Sequence, residues 1–345
     1  MQNNVLIIGG KGLVGSTIAR ILKERNPQCN IILGTRAPKD LQKDLQKEVQ
    51  IDVNSPSSLE VILSRRIDLI ILSVNDQKDH VLRFAIEHGI DYLDITKPTP
   101  ALHKALQITT EYTKYNSRIV FGSGWMGGIV PGLVKSAVPA TEKIESVQLM
   151  VYYSIKDKAG ESSAHFMAEH VATPFVQYQK NQPKEVLHFL DSESYCFSFG
   201  LRNRQVYNFD TPDLYILNKV GAIPTVSVKM TYNSKFVTRV LGWMQQFGVF
   251  KRMSLKARRK IFGGSGAGDI SVFEIIIKGS QQVRRILLKS DRGQAELTAL
   301  SAVLHTEVLF SNEVLPGQYF AHQLHGEKAL FTDLQQYDSI TIKEI

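Results

Sequence analysis

A glycine-rich hexapeptide near the amino terminus constrains the fold of this 345-residue chain more than any other feature. Residues 10–15, Gly-Lys-Gly-Leu-Val-Gly, follow an apolar, β-branched run at residues 5–8 and open a segment with the apolar spacing of a helix. Glycines at these three positions give a tight turn, close approach of the backbone to a ligand and close packing of helix on strand. The positive end of a helix dipole lies here, so the pattern predicts a pyrophosphate site at Gly10, Lys11, Gly12, Leu13, Val14 and Gly15. The alternative is a glycine turn without a ligand.

Short strand-like runs alternate with helix-like segments through the first third of the chain. The strand-like runs lie at residues 5–8, 30–35, 49–53, 67–74, 92–95 and 118–121. The fourth run is apolar, as expected for a strand covered by helices on both faces. Six strands joined by helical crossovers predict an α/β fold with a Rossmann-type, doubly wound parallel sheet.

The pattern changes after Pro139. Strand-like runs follow at residues 144–154, 225–232, 272–278 and 283–289, with a helix-like segment at 161–178. The last two runs are separated by four turn-forming residues and predict a hairpin. We therefore predict a nucleotide-binding domain at residues 1–138, completed by a helical segment at about 293–335. Residues 139–292 are predicted to form an α+β domain with a mixed or antiparallel sheet, for substrate binding and dimerisation.

Composition excludes several classes of protein. With 43% hydrophobic and 21% charged residues, the chain is neither disordered nor a coiled coil. Its formal charge of +8 suits a phosphorylated ligand but is too dispersed to indicate nucleic acid. Cys29 and Cys196 stand far apart without a CxxC partner, so neither a disulfide framework nor a metal site is expected. Because no signal peptide or membrane span is evident, we expect a cytoplasmic protein.

The end of the second strand bears on which dinucleotide binds. NAD-selective sites usually place an acidic residue there, whereas this chain has Thr35 and Arg36. A guanidinium suits the 2′-phosphate of NADP(H), which is the predicted cofactor. The alternative is that Arg36 is an ordinary surface residue. Asp52, after the third strand, suits the adenine amino group or a structural role in its loop.

Several segments together resemble the saccharopine dehydrogenase-like family, in particular its short, uncharacterised members. They are residues 10–15, 34–36, 51–53, 68–74, 88–94 and 124–132, and the resemblance weakens in the second domain. The resemblance implies an NADP(H) oxidoreductase with its active site between the domains. It implies a cofactor site lined by Gly10, Gly12, Gly15, Thr35, Arg36, Asp52, Val53, Ser73 and Val74.

Ligands of an open parallel sheet bind beyond the carboxyl ends of its strands. Asn75, after the fourth strand, suits the ribose nearest the nicotinamide or the cap of the next helix. Lys97, after the fifth, is the best catalytic candidate: it would protonate the substrate if its environment brought its pKa toward neutrality. A comparable Lys-Pro pair carries the catalytic lysine of the glucose-fructose oxidoreductase-like family, and the alternative is a solvated loop lysine. Asp94 is expected to orient Lys97 or to have a structural role.

Further substrate-binding candidates follow the sixth strand and lie in the second domain. Gly124, Trp125 and Met126 belong to a glycine-rich stretch that would let the backbone approach the nicotinamide or a carboxylate. Saccharopine-forming reductases carry an aspartate before the Pro-Gly pair at 131–132, where this chain has Val130, so saccharopine itself is not the expected substrate. Tyr153 is expected to face the cleft, and His165 is a candidate acid–base residue or an ordinary, partly buried histidine.

Residues 240–262 mix aromatic and basic side chains, as in a helix with one apolar and one basic face. The segment is interpreted as a surface helix, a lid over the substrate hinged at residues 263–268, or a membrane-contact helix.

These features together predict an NADP-dependent oxidoreductase that transfers hydride to or from a carbonyl or imine carbon of a small-molecule substrate in the interdomain cleft. A homodimer is the expected assembly. The alternatives are a non-catalytic protein that senses NADPH and a reductase of lipid-like substrates at a membrane surface.

Overall fold

The computed structural model describes residues 3–37, 47–95, 97–157, 160–263, 268–311, 313–326 and 328–345. The chain forms two compact units: residues 1–129 with 298–325, and residues 130–297 with 326–345. Most of the predicted hinge, residues 264–267, lies outside the described residues. Helices and strands are numbered separately along the chain.

The first unit is built on a parallel sheet. Its strands are β1 (Asn4–Ile8), β2 (Asn30–Thr35), β3 (Glu48–Gln50), β4 (Leu69–Leu72), β5 (Asp91–Asp94), β6 (Arg118–Phe121) and β15 (Gly317–Phe320). The described residues form the order β15-β6-β5-β4-β1-β2-β3, with every pair parallel. The order in which the chain adds strands reverses between β1 and β4, as in a doubly wound fold. The predicted Rossmann-type architecture is confirmed, and β15 is a seventh strand that the sequence did not indicate.

Helices connect these strands. They are α1 (Leu13–Arg25), a 3₁₀ helix (Pro56–Arg65), α2 (His80–His88), α3 (Thr99–Thr109) and a second 3₁₀ helix (Ala321–Gln323). The first 3₁₀ helix starts at Pro56 after Ser55 and ends where Arg66 takes a left-handed conformation. Strand β4 is buried along its whole length, because a parallel strand in the middle of such a sheet is covered on both faces.

The second unit contains a mixed sheet. Its strands are β7 (Ile144–Tyr153), β8 (Phe175–Gln179), β9 (Gln182–Val186), β10 (Glu193–Phe197), β11 (Arg202–Asn208), β12 (Thr225–Tyr232), β13 (Ser271–Gly279), β14 (Val283–Ser290) and β16 (Ile340–Glu344). The main order is β10-β11-β12-β7-β13-β14-β16, and the β8–β9 hairpin pairs with β12. Strands β7 and β12 are parallel, whereas the other pairs are antiparallel. The mixed sheet and the β13–β14 hairpin are therefore confirmed.

The remaining helices lie in or next to this unit. They are α4 (Ile129–Ala137), α5 (Glu161–His170), α6 (Asp213–Tyr215) with a π-helix (Ile216–Val220), α7 (Lys235–Gln246), α8 (Val249–Arg252), α9 (Leu255–Phe262), α10 (Gly293–Phe310) and α11 (Ala329–Gln335). Helix α10 begins in the second unit and continues from Thr298 in the first. No helix in the described part of the chain is long and apolar enough to cross a membrane.

Two long helices predicted for the second unit are wrong. The segment at 161–178 is helix α5 followed by strand β8, because Pro174 interrupts the helical pattern. The segment at 240–262 belongs to three short helices. A left-handed Gly248 ends the first, and the side chain of Ser254 caps the third by accepting a hydrogen bond from the N–H of Ala257.

Candidate nucleotide-binding and active site

The turn after β1 is shaped by Gly9, which takes the left-handed conformation (φ 86°). A side chain on Gly9 would meet Val74 and Ser73 at the end of β4. Gly10 has an ordinary φ, but a Cβ there would lie 2.7 Å from the side chain of Leu33. The tight turn therefore depends on Gly9, and Gly10 is required by its packing against β2. The sequence pattern, which starts at Gly10, missed Gly9.

Gly15 and Gly12 have different surroundings. A Cβ on Gly15 would lie 2.4 Å from the carbonyl oxygen of Gly9, so only glycine lets α1 approach the loop this closely. Gly12 is exposed, and its nearest neighbour would be the same oxygen at 3.1 Å. No side chain caps the amino end of α1, and its first turn carries no acidic residue. The N–H groups of this turn are therefore available to an anion placed over Gly12.

The end of β2 is basic. Thr35 is partly buried, and Arg36 directly after it is exposed. Within the described ranges, the guanidinium of Arg36 forms no ion pair, and its backbone carbonyl accepts a bond from Gln50. Lys11 is engaged differently, because its Nζ lies 2.7 Å from the carboxylate of Glu48 on β3. Among the residues described at this strand end, Arg36 is thus an exposed cation that can meet an added phosphate.

Asp52 has a local structural role. Its Oδ1 accepts hydrogen bonds from the backbone N–H and the side-chain amide of Asn54, at 3.0 and 3.1 Å. This is an Asx turn, which corresponds to the loop alternative for Asp52. The following Val53 is buried, and its carbonyl lies 2.9 Å from Nδ1 of His80.

At the end of β4 the predicted residues face the glycine loop. The Ser73 hydroxyl donates to the carbonyl of Ile8 at 2.7 Å and fixes β4 against β1. Val74 contacts the position a side chain on Gly9 would occupy, and Asn75 is exposed beyond it. The neighbouring Asp76 is buried, and its carboxylate accepts from the N–H of Val81 in α2. Asp76 therefore caps the helix, which leaves Asn75 open to a ligand.

Lys97 is buried in an ion cluster. Its Nζ lies 3.0 Å from Oδ1 of Asp79 and 3.2 Å from Oδ2 of Asp94, and all three side chains are at most 5% exposed. Tyr92 donates to the same oxygen of Asp94 at 2.8 Å. The exposed Lys104 reaches the other oxygen of Asp79 at 3.3 Å. Asp94 thus contacts Lys97 as expected, whereas the sequence analysis missed Asp79.

The pKa of Lys97 moves in the direction opposite to the expectation. Burial lowers this pKa, but the attraction of Asp94 and Asp79 outweighs burial and raises it above the usual lysine value. Burial also raises the pKa of Asp94, and Lys97 opposes that rise. The idea that Lys97 titrates near neutrality is therefore corrected: it stays an ammonium, because two carboxylates surround it. It is not a solvated loop lysine either.

The glycine-rich loop after β6 is packed on itself. Gly122 and Gly127 are left-handed, and a side chain on Gly128 would lie 2.5 Å from the carbonyl of Gly124. Gly124 is buried, and Trp125 is only 2% exposed. Met126 is partly exposed. The ring of Trp125 is therefore part of the core in this structure, and its contact with substrate stays a prediction.

Helix α10 contacts this loop through two hydrogen bonds. Ser301 donates to the carbonyl of Gly124 at 3.0 Å, and Nδ1 of His305 lies 2.8 Å from the hydroxyl of Ser123. Burial, with a contribution from His325, lowers the pKa of His305 well below its usual value, so its imidazole is neutral. Local sequence patterns could not predict the contact between Ser123 and His305, because the two residues are 182 positions apart in the chain.

Two candidates lie in the second unit in settings unlike those expected. Tyr153 is 5% exposed and packs edge-to-face against Phe209 and Phe273, so it is a core residue in this structure, and its contact with substrate stays a prediction. His165 on α5 lies 2.9 Å from Glu169 and also contacts Arg259. These neighbours make His165 part of a polar cluster on α5 and α9. The described residues contain no group of His, Cys, Asp and Glu suited to a metal ion.

Comparison with known proteins identifies the nucleotide-binding part of the chain. Residues 5–127 match the family model described as the saccharopine dehydrogenase NADP binding domain. The resemblance inferred from the sequence is confirmed for this part of the chain. A search of curated proteins finds no match.

Solved structures with a similar fold are remote in sequence. One is dihydrodipicolinate reductase from Paenisporosarcina sp. TG-14, 12% identical over 94% of this chain and 100% of that chain, with a TM-score of 0.44. Another is an oxidoreductase from Sinorhizobium meliloti, 10% identical over 91% of this chain and 90% of that chain, with a TM-score of 0.44. A third is the WlbA dehydrogenase from Thermus thermophilus, 10% identical over the same shares, with a TM-score of 0.41.

Proposed function

We propose that this chain, whose residues 5–127 form a saccharopine dehydrogenase-type NADP-binding domain, is an NADP(H)-dependent oxidoreductase acting on a carbonyl or imine carbon of a small molecule. The observation that carries the proposal is the uncapped amino end of α1 at the exposed Gly12, with the exposed Arg36 at the end of β2. Backbone N–H groups and a guanidinium are the donors that a pyrophosphate and a 2′-phosphate require.

Selectivity for NADP(H) over NAD(H) is assigned to Arg36. An acidic side chain at the end of β2 would favour unmodified ribose hydroxyls, and Arg36 stands there instead. Thr35 adds a hydroxyl, and Lys11 is already paired with Glu48. Arg36 therefore has the task of binding the additional phosphate.

The reaction is hydride transfer, for which the bound nicotinamide supplies or accepts the hydride. Asn75, exposed beyond β4, would bind the ribose nearest the nicotinamide. Lys97 remains charged and is enclosed by Asp79 and Asp94, so it positions the end of β5 instead of presenting an unpaired cation to the substrate. With its raised pKa, its ammonium is a poor proton source near neutral pH. This refines the general-acid role expected from the sequence.

The cofactor assignment is tested by titrating NADPH and NADH into wild type, Arg36→Ala and Arg20→Ala while following nicotinamide fluorescence. Arg20 is an exposed arginine on α1 that pairs with Glu24, so it controls for loss of a positive charge. We expect Arg36→Ala to weaken NADPH binding roughly tenfold or more and to leave NADH unchanged, since charge-assisted hydrogen bonds contribute about 1.5–3 kcal/mol. Equal weakening of both nucleotides would contradict the selectivity. Absence of binding at ~100 μM would overturn the proposal.

Catalysis is separated from mere cofactor sensing by turnover. NADPH consumption with a panel of keto acids, enones and imines is expected for an enzyme, whereas a sensor binds NADPH without consuming it. Lys97→Arg keeps the charge inside the cluster but changes its geometry, so we expect a lower kcat with an unchanged NADPH Kd. A normal kcat in Lys97→Arg would remove Lys97 from the mechanism. The expected homodimer is tested separately by light scattering.

A further inference from the structure

Helix α7 and the residue that follows it expose three large aromatic side chains. Phe236, Trp243 and Phe247 are 74%, 58% and 70% exposed. Their spacings of seven and four residues place them on one face of the helix. The opposite face already packs into the second unit through buried residues that include Thr238, Leu241 and Gln245. The exposed aromatic face is therefore additional to the surface that holds α7 in the fold.

The net charge of the whole protein is concentrated in the same segment. Residues 235–262 contain eight Lys and Arg and no Asp or Glu. Subtracting these eight from 41 leaves 33 basic residues against 33 acidic ones in the rest of the chain. Within the described residues, no Asp or Glu forms a salt bridge with any of the eight. The charge of +8 thus equals the excess of basic residues in this segment. Two of the eight also contact α5, because Arg258 donates to the carbonyl of Ala168 and Arg259 contacts His165.

A small cleft lies between α7 and strands β10 and β11. Its volume is about 160 Å³, and six of the residues that line it are Ser194, Asn203, Arg204, Thr238, Lys235 and Arg239. Lys235 and Arg239 lie one turn apart on α7, so they share the helix with the aromatic residues. Lys235, Arg239 and the hydroxyl of Ser194 are polar groups of this lining suited to one phosphodiester group. The guanidinium of Arg204 adds positive charge while it also donates to the carbonyls of Leu201 and Asn233.

We propose that α7, α8 and α9 form a docking surface for an anionic phospholipid membrane. The aromatic rings enter the interfacial layer of the bilayer, and the basic side chains contact headgroup phosphates. The cleft at Arg204, Lys235 and Arg239 holds the phosphate of one lipid. A second copy of the chain is the poorer occupant, because a symmetric dimer through this face would oppose two surfaces of the same strong positive charge.

The test uses the full-length protein, without cofactor or substrate, and two kinds of vesicle. One kind is phosphatidylcholine alone, and the other contains about 30% phosphatidylglycerol. Trp125, the other tryptophan of the chain, is 2% exposed, so a change in fluorescence reports on Trp243. We expect co-sedimentation and a blue shift of tryptophan emission with the anionic vesicles only, and loss of both in about 0.5 M salt.

Variants separate the two parts of the surface. Lys235→Gln with Arg239→Gln is expected to weaken binding about 30-fold, and Phe236→Ser with Phe247→Ser at least tenfold. Leu315→Ser removes an apolar residue that is 74% exposed elsewhere, and Lys278→Gln removes an exposed cation paired with Glu145. Both controls should bind as wild type.

Three outcomes would overturn the proposal: no binding to anionic vesicles at low salt, equal binding to both vesicle types, or wild-type binding by both double variants. A dimer that Phe236→Ser with Phe247→Ser dissociates, without vesicle binding, would show that the face is a self-interface. Because no cofactor is present, the result is independent of the proposed catalytic function.

Discussion

At the scale of single residues, Lys97 shows how one charge can organise the end of a strand. Its ammonium lies between the carboxylates of Asp79 and Asp94, where almost no solvent reaches. If the ammonium or the carboxylates were removed, the remaining charge would lie uncompensated in the protein interior, which solvates ions poorly. The cluster therefore fixes the segment between β5 and α3 at the edge of the sheet where substrate is expected.

We predict that Lys97→Met lowers the free energy of unfolding by about 3–5 kcal/mol near pH 7. The variant leaves the buried Asp94 without its cation and leaves the buried Asp79 with the half-exposed Lys104. Lys104→Met is the matched control: it removes a half-exposed lysine from the same Asp79 and should cost less than about 1 kcal/mol. Urea unfolding of the three proteins gives both values. Equal losses in the two variants would contradict a special role for the buried ion cluster.

The same variant should show a distinctive pH dependence. The raised pKa of Lys97 means that its contribution is present at neutral pH and is lost only as pH rises through the folded-state value. Lys97 opposes the rise that burial causes in the pKa of Asp94, so without Lys97 this carboxyl is protonated more readily in the folded state. The difference in stability between the variant and wild type should therefore shrink as pH falls toward about 4. A deficit of constant size across this pH range would indicate lost packing rather than lost charge compensation.

At the scale of elements, the sequence predicted best where the pattern was local. Six of the seven strands described in the first unit, the β13–β14 hairpin and α10 all follow from apolar runs and turn residues. Strand β9, Gln182–Val186, has one buried position and therefore no alternating pattern to detect. Strand β15 has four residues and depends on pairing with β6, which lies far away in the chain. Pro174 was a local signal that could have ended the helix predicted at 161–178.

Two glycines of the loop are expected to have different roles, Gly15 in folding and Gly12 in NADPH binding. We predict that Gly15→Ala lowers stability and abolishes NADPH binding, because its Cβ would clash with the backbone of Gly9 at 2.4 Å. Gly12→Ala should fold nearly normally, since its tightest contact is 3.1 Å, but should weaken NADPH binding by obstructing the phosphates.

Thermal melting together with NADPH titration distinguishes these effects. Gly160→Ala, where a Cβ would meet nothing within 4 Å, is the control and should change neither quantity. If Gly12→Ala binds NADPH with wild-type affinity, the phosphates do not pass over this residue.

At the scale of the whole molecule, the nucleotide-binding unit depends on residues from the far end of the chain. The family match ends at residue 127, yet the unit includes residues 298–325. Strand β15 pairs with β6, and the ring centroids of Phe320 and Phe121 are 6.4 Å apart. Helix α10 braces the glycine-rich loop through Ser301 and His305. Local patterns cannot reveal this completion, because each contact joins segments far apart in sequence.

We therefore predict that a fragment ending at residue 137 does not melt cooperatively and does not bind NADPH. It would expose the edge of β6 and part of its apolar core, and it would lose the hydrogen bonds that hold the loop at Ser123 and Gly124. Joining residues 298–325 to this fragment through a flexible linker restores the missing strand and helix, so cooperative melting by circular dichroism and NADPH binding should both recover. If the short fragment alone melts cooperatively and binds NADPH, the prediction is contradicted. The nucleotide-binding unit would then be stable without residues 298–325.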